Sequence, residues 1–243
     1  MSLPVWAVVP ASGIGSRMRA DRPKQYLPLG GRCILEHSLD RLLSHPRIEG
    51  AVIALAGGDR WWPQLGYRSD KPLISAAGGA ERVDSVLSAL LRLEQELPGD
   101  ALVLVHDAVR PFVGHSDLDR LIEAAGIDDH GALLATPLAD TLKRSTEPSG
   151  AAMPGVAETV PRERLWQALT PQAFRLSLLR RALESAVEQR LPITDDASAM
   201  ELAGYSPRLV AGDRRNIKLT HPEDLLLGEW ILRSLEQHSE IPD

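Results

Sequence analysis

The sequence predicts an α/β protein with a mostly parallel central sheet and helices on both faces, on three observations. Short β-rich runs recur at residues 5–9, 51–56, 73–76, 101–105 and 131–136. Segments with apolar residues at helical spacing lie between several of them, and this alternation is that of parallel strands joined by crossover helices. The run at 101–105 is apolar throughout, as a strand buried on both faces requires.

Leu35, Leu39, Leu42 and Leu43 form one helical stripe and Val83, Val86, Leu87 and Leu90 another, both suited to packing on a sheet. Ser116 is placed to cap a helix through Ala125 whose buried face is Leu118, Leu121, Ile122 and Ala125. Further helices are expected over 176–189, 196–202 and 222–235. The stretch 138–164 breaks the rhythm, with Lys143, Arg144, Pro148, Gly150, Pro154 and Gly155 and weak periodicity. At that length it reads as a projecting arm or substrate loop. Without an internal repeat or linker, 1–243 is expected to be one domain with an excursion.

Composition narrows the class. The chain has 44% hydrophobic and 25% charged residues, which suits an ordinary globular protein. A formal net charge of -6 gives no general attraction for polyanions, so nucleic acid and anionic membranes are not expected partners. Cys33 is the only cysteine; a disulfide framework and a multi-cysteine zinc site are excluded, and a reducing, cytoplasmic setting is expected. No window approaches the ~20 apolar residues that cross a bilayer, and no basic leader precedes the first strand.

The first strand runs into Pro10-Ala11-Ser12-Gly13-Ile14-Gly15-Ser16-Arg17-Met18, followed by Arg22-Pro23-Lys24-Gln25-Tyr26. Small residues and glycines allow backbone N–H groups to close on an anion, with Arg17 and Lys24 adding positive charge, so a polyphosphate is the expected occupant. Taken alone, Gly-x-Gly after a strand is also a common tight turn. The dinucleotide fingerprint fails because Met18 stands where a third small residue belongs, and no Gly-Lys-Ser/Thr marks a P-loop.

The strand at 101–105 ends in His106-Asp107-Ala108-Val109-Arg110-Pro111, where open α/β sheets collect ligands. Asp107 suits Mg²⁺ or another divalent cation, directly or through water; a turn or capping carboxylate is the plainer role. His106 is expected only to satisfy a backbone hydrogen bond. Hydroxyls and cations gather in four later segments: 140–144, 162–164, 194–197 and 216–220. Each also suits a solvated face or a cap, and Thr194 reads well as a helix cap.

Nine ordered blocks, PASGIGSRM, PKQYLPLGG, ILEHSL, GGAERVDSV, VHDAVRPF, DTLKR, WQALTPQ, TDDASAMELAG and NIKLTHPEDL, make residues 8–227 closely resemble the 2-C-methyl-D-erythritol 4-phosphate cytidylyltransferases of the non-mevalonate isoprenoid pathway. The resemblance implies a Rossmann-like nucleotidyltransferase fold and a homodimer with shared active sites, the arm at 138–164 reaching the neighbouring subunit. It implies Arg17 and Lys24 as transition-state cations, with Arg162, acting on the other chain's site, and Lys218 positioning the substrate phosphate. CTP is placed against Pro10, Ala11, Ser12, Gly13, Lys24, Gly79, Ala80, Ser85, Asp107 and Ala108. Asp107, Arg110, Thr141 and Thr194 fall on the polyol-phosphate side. Ser12, where alanine is common, and Ala80, where a polar residue occurs, depart from the family pattern and are expected to present backbone groups. A cytidylyltransferase for another polyol phosphate, such as ribitol 5-phosphate, would share the loop and the HDAVRP block. A nucleotide-binding regulatory module would keep the loop without turnover.

Overall fold

A computed structural model describes every residue except 1–2, 14–17, 19–20, 148–152 and 240–243. Its main sheet is built around β1 (Val5–Ala11), which pairs in parallel with β4 (Ile48–Leu55) on one side and β6 (Leu102–Val105) on the other. With β5 (Leu73–Ala77), β7 (Ala132–Pro137), β10 (Trp166–Arg175) and β11 (Arg208–Ala211), the order is β11-β7-β10-β6-β1-β4-β5. Only β10 runs antiparallel to its neighbours, β6 and β7.

Alternation along β1 divides the core. Val5, Ala7 and Val9 face α1 (Ile34–Leu43) and α4 (His115–Ala125), meeting Leu35, Leu39, Leu118 and Leu121. Trp6 and Val8 point the other way, onto Val86 and Leu90 of α3 (Arg82–Glu94) and Leu179 and Leu183 of α5 (Leu176–Glu188). A strand covered by helices on both faces has no polar side to show, which is why its sequence is continuously apolar. β4 begins earlier than its apolar run because Gly50 belongs to it; a Cβ there would sit 2.5 Å from the Trp6 ring, so only glycine admits that ring.

Several expectations are corrected. The helix of Leu118, Leu121, Ile122 and Ala125 begins at His115 with Gly114 as its N-cap, not Ser116; the Gly114 carbonyl accepts the first bonds, from Asp117 and Leu118. α6 (Asp196–Leu202) is capped by Asp195 and not by Thr194: the Asp195 carboxylate accepts the Ser198 N–H at 2.9 Å. β10 and β11 lie outside the predicted strand set. β10 holds Pro171, which argues against a central strand; its ladder to β7 shifts register between Ala168 and Gln172, around that proline.

Within the irregular stretch, β8 (Leu142–Ser145) and β9 (Val156–Val160) form an antiparallel pair that is almost wholly exposed. A small hairpin of β2 (Pro28–Leu29) and β3 (Arg32–Cys33) precedes α1, the single turn α2 (Trp62–Leu65) follows β4, and α7 (Pro222–Ser239) runs past the predicted 222–235.

Candidate active site

At the C-terminal edge of β1, β5 and β6 lies a cavity of about 190 Å³. Pro10, Ala11, Ser12 and Gly13 form one wall, Lys24 and Gln25 a second, and Ala80, Glu81 and Arg82 a third. Asp107, Ala108, Val109 and Lys218 close it.

The first and third walls approach each other closely. A Cβ on Gly78 would lie 2.3 Å from that of Ser12, and one on Gly79 would lie 2.1 Å from that of Asp84, so both glycines are required by space. Ser85, buried on α3, ties the walls together. Its Oγ accepts the Gly79 N–H at 3.0 Å, donates to the Glu81 carbonyl at 3.1 Å, and lies 2.7 Å from Ser12 Oγ. Ser12 therefore contributes its side chain to the wall and not only its backbone. Ala80, without polar atoms in its side chain, lines the cavity.

Lys24 opens a single 3₁₀ turn, Lys24–Tyr26. The buried Gln25 donates to the Ala11 carbonyl at 2.6 Å and holds this turn against the end of β1. Arg17 and Gly15, singled out in the sequence, lie outside the described residues.

Asp107 is the electrostatic centre. Its carboxylate meets Lys218 Nζ at 2.9 Å, Arg82 Nε at 3.3 Å and Arg110 Nε at 3.4 Å. Burial acts to raise its pKa, but Arg82, Lys218 and Arg110 together override that and hold the carboxyl well below its ordinary range. Arg82 also bonds Asp196 at 2.7 Å. Its own burial works against its charge, yet Asp196 and Asp107 raise its pKa. Burial lowers that of Arg110, with Asp107 opposing, and its Nη1 donates to the Asn216 carbonyl at 2.8 Å.

The turn after β6 is fixed from below. Thr170 Oγ1 accepts the Asp107 N–H at 3.0 Å and lies 3.1 Å from His106 Nδ1, while His106 Nε2 lies 2.9 Å from the Arg110 carbonyl. Thr170 donating to Nδ1 leaves the proton on Nε2, which donates to Arg110. Burial pushes the His106 pKa down to about 4, so the ring is neutral and serves the backbone, as its plainer reading held. Ser38 of α1 donates to the Ala108 carbonyl at 2.9 Å, and Asn216 to that of Thr170 at 2.8 Å.

A second cavity, of about 500 Å³, adjoins the first. Arg110 and Lys218 line it together with Arg214, Asp140, Gln167 and Thr220. Lys218 belongs to both cavities, beside Asp107. Thr141 and Thr194 line neither cavity; both are exposed. Arg162 is exposed at the base of the arm, its guanidinium donating to the Ala139 carbonyl of its own chain.

Sequence reasoning overlooked Arg82, Arg214 and Thr170. Arg82 stood inside a recognised block at a helix start, where a cation is unfavourable unless carboxylates hold it, and that mismatch was the available signal. Among the described residues no group of three His, Cys, Asp or Glu side chains could hold a metal. Asp107, in the first cavity beside the shared Lys218, offers a single hard carboxylate, which fits a divalent ion carried mainly by substrate phosphates.

Two adjoining cavities at the strand ends, sharing Lys218 and flanked by Arg82, Arg110 and the Asp107 carboxylate, define an α/β protein with a cationic site suited to anionic ligands. A sequence profile of the 2-C-methyl-D-erythritol 4-phosphate cytidylyltransferase (IspD) family matches residues 5–234. A Pseudomonas putida protein of that name is 52% identical over 227 residues, 93% of each chain. One from Ectopseudomonas mendocina is 50% identical over 240 residues, 98% of this chain and 100% of its own. Among solved structures, a 4-diphosphocytidyl-2C-methyl-D-erythritol synthase superposes with a TM-score of 0.80 at 36% identity, covering 96% of this chain and 99% of its own. The Francisella tularensis 2-C-methyl-D-erythritol 4-phosphate cytidylyltransferase gives 0.78 at 32%, over 93% and 99%. The chain belongs to the 2-C-methyl-D-erythritol 4-phosphate cytidylyltransferase family.

Proposed function

We propose that the chain transfers CMP from CTP to 2-C-methyl-D-erythritol 4-phosphate, giving 4-diphosphocytidyl-2-C-methyl-D-erythritol and pyrophosphate in isoprenoid precursor biosynthesis. The observation that carries this reading is the meeting of the two cavities at Lys218, beside Asp107, with Lys24 on the nucleotide side and Arg110 on the other. CTP is assigned to the first cavity, between residues 10–13 and Ala80, whose walls Gly79 and Ser85 brace, and the polyol phosphate to the larger cavity.

Near neutrality the substrate phosphate is largely dianionic, its second pKa being about 6, so one of its oxygens attacks without a dedicated base. The new bond joins that oxygen to the α-phosphorus of CTP; the bond from that phosphorus to the bridging oxygen breaks, and pyrophosphate carries the electron pair away. The protein's task is alignment and charge neutralisation. Lys24 and Arg17 stabilise charge that develops on the transferring and leaving groups, while Lys218, Arg110 and Arg162 hold the attacking phosphate. Neutral, buried His106 takes no proton from substrate.

Mg²⁺ or another divalent cation, when bound, neutralises the triphosphate, and Asp107 is the carboxylate that would hold it. The working form is a homodimer in which Arg162 of the arm completes the neighbouring site, with Thr141 and Thr194 assigned to the polyol phosphate. A cytoplasmic setting accords with Cys33, a buried free thiol; no helix among the described residues is long and apolar enough to cross a membrane.

The test is pyrophosphate release by the purified protein from CTP with each polyol phosphate in turn. Turnover should require both substrates and favour 2-C-methyl-D-erythritol 4-phosphate. A higher kcat/KM with ribitol 5-phosphate would reassign the acceptor, and no release with any acceptor would point to a regulatory module.

A further inference from the structure

Lys24 sits between two residues that are fixed to different parts of the fold. Gln25 ties the 3₁₀ turn to β1 through the Ala11 carbonyl, inside the cavity wall. Tyr26 ties it to the connection between β4 and β5, which lies outside both cavities. The Tyr26 hydroxyl donates to Asp59 Oδ2 at 2.7 Å, a charge-assisted bond on a ring that is 4% exposed. The other carboxylate oxygen, Oδ1, accepts the N–H groups of Trp61 at 2.8 Å and Trp62 at 3.1 Å, so the same carboxylate shapes the connection it reaches from.

Trp61 then adds a second attachment. Its ring stacks on Tyr26 with centroids 6.5 Å apart, and the Arg22 guanidinium lies 4.9 Å from the ring centroid. Arg22 precedes Lys24 by two residues and Tyr26 follows it by two, so Asp59 and Trp61 grip the chain on both sides of the lysine. Packing alone would need only an apolar ring at Tyr26. The hydroxyl, the carboxylate and the cation over the indole define orientation as well as burial. Burial and Asp59 also raise the Tyr26 pKa, which keeps the phenol a donor throughout the working pH range.

We propose that Asp59 and Trp61 are positioning residues for Lys24, acting from outside the cavity through Tyr26 and Arg22. A lysine carries a flexible four-carbon stem, and a fixed backbone restricts where its ammonium group can go. The proposal rests on the catalytic role of Lys24 given above.

The experiment is a double-mutant cycle on pyrophosphate release, with Tyr26→Phe, Asp59→Asn and Trp61→Leu made alone and in a Lys24→Ala background, and thermal unfolding followed for each. Misplacing a reacting group by a fraction of its reach can cost about tenfold to a hundredfold, so Tyr26→Phe and Asp59→Asn should lower kcat by about tenfold with KM for CTP changed far less. In the Lys24→Ala background the same substitutions should cause no further loss, because the group they position is gone. Equal losses in both backgrounds would mean a general weakening of the fold and would overturn the proposal. So would unchanged kcat in Tyr26→Phe and Asp59→Asn while Lys24→Ala is impaired, an outcome that leaves the role of Lys24 standing. Normal turnover by Lys24→Ala itself would overturn that role and the proposal together. Should Tyr26→Phe fail to fold, the partly exposed Asp59→Asn carries the same comparison.

Discussion

The residues around Asp107 and those of the β8–β9 arm carry similar charges in opposite settings. At Asp107 a carboxylate 7% exposed is held by three cations, of which Arg82 also bonds Asp196 and Arg110 the Asn216 backbone. On the arm, Arg144 pairs with Glu158 at 2.5 Å and Lys143 with Thr159 at 2.6 Å, all in water. A charge buried in a bonded network has one geometry available; an exposed pair has many and contributes little. The arm also exposes apolar surface, with Met153 95% and Val156 64% accessible. The network around Asp107 is thus organised within one chain, whereas the arm's charges and apolar side chains stand exposed in it.

The sharpest test of the organised side is Lys24→Ala. If Lys24 meets charge that appears only as the α-phosphorus reacts, kcat should fall by about 100- to 1000-fold, equivalent to ~2.7 to 4 kcal/mol, with the protein still folded. Arg17→Ala should behave alike. Near-normal turnover in both folded variants would remove them from catalysis and leave the network around Asp107 as a structural feature.

Nucleobase choice should also belong to that side alone. A wall built to hydrogen-bond the exocyclic amino group of cytosine leaves buried partners unpaired when uracil presents an oxygen, so kcat/KM for CTP should exceed that for UTP by on the order of a hundredfold. Arg162→Ala should leave that ratio unchanged. Equal use of CTP and UTP would contradict a dedicated cytidylyl site, and a ratio that changes with Arg162 would erase the division between the two regions.

The same division explains what could be read in advance. β1 and β6 were legible because burial on both faces leaves nothing but apolar residues. Asp107 and Arg110 stood in an ordered block at a strand end and Lys218 in a later block, and the structure brings all three together. Arg82 and Thr170 were not legible as partners of Asp107, because the contacts span 25 and 63 positions and depend on how α3 and β10 pack. β10 was hidden by Pro171 and by a register shift that no period-2 pattern announces. Thr141, Arg162 and Thr194 stood in segments that also suit a solvated face or a cap; the roles proposed for them come from family resemblance, and one chain leaves them outside both cavities.

Arg162 tests whether the arm works across the dimer. In this chain its guanidinium rests on the Ala139 carbonyl, near the second cavity, so action in its own chain is a concrete competing geometry. Arg162→Ala should lower kcat/KM for the polyol phosphate by about tenfold or more, as loss of a charged contact to phosphate does. Mixing Arg162→Ala with Lys24→Ala subunits separates the two geometries. If the arm acts in trans, one site of each mixed dimer has both defects and the other has none, so activity reappears. If it acts in cis, every site keeps one defect and no recovery follows. Confirmed heterodimers as inactive as their parents would sink the shared-site reading without touching the family assignment.

The smallest effect is expected within the arm itself. Arg144 and Glu158 have side chains 66% and 55% exposed, so water screens their attraction and ordering two long side chains offsets much of what remains. Arg144→Ala, Glu158→Ala and the double variant should each change folding stability by less than about 1 kcal/mol, with a coupling near zero to a few tenths. Pyrophosphate release should stay close to that of the parent protein, because neither residue lines a cavity. Dimer dissociation should be unchanged as well if the pair serves only the hairpin. A large loss of activity on dilution in either single variant, with folding intact, would show that the pair is covered in the assembly and does more there than its exposure in one chain suggests. The contrast between a buried, self-sufficient network and a solvated arm would then hold for the isolated chain only, and the arm's charges would have to be counted as part of the interface.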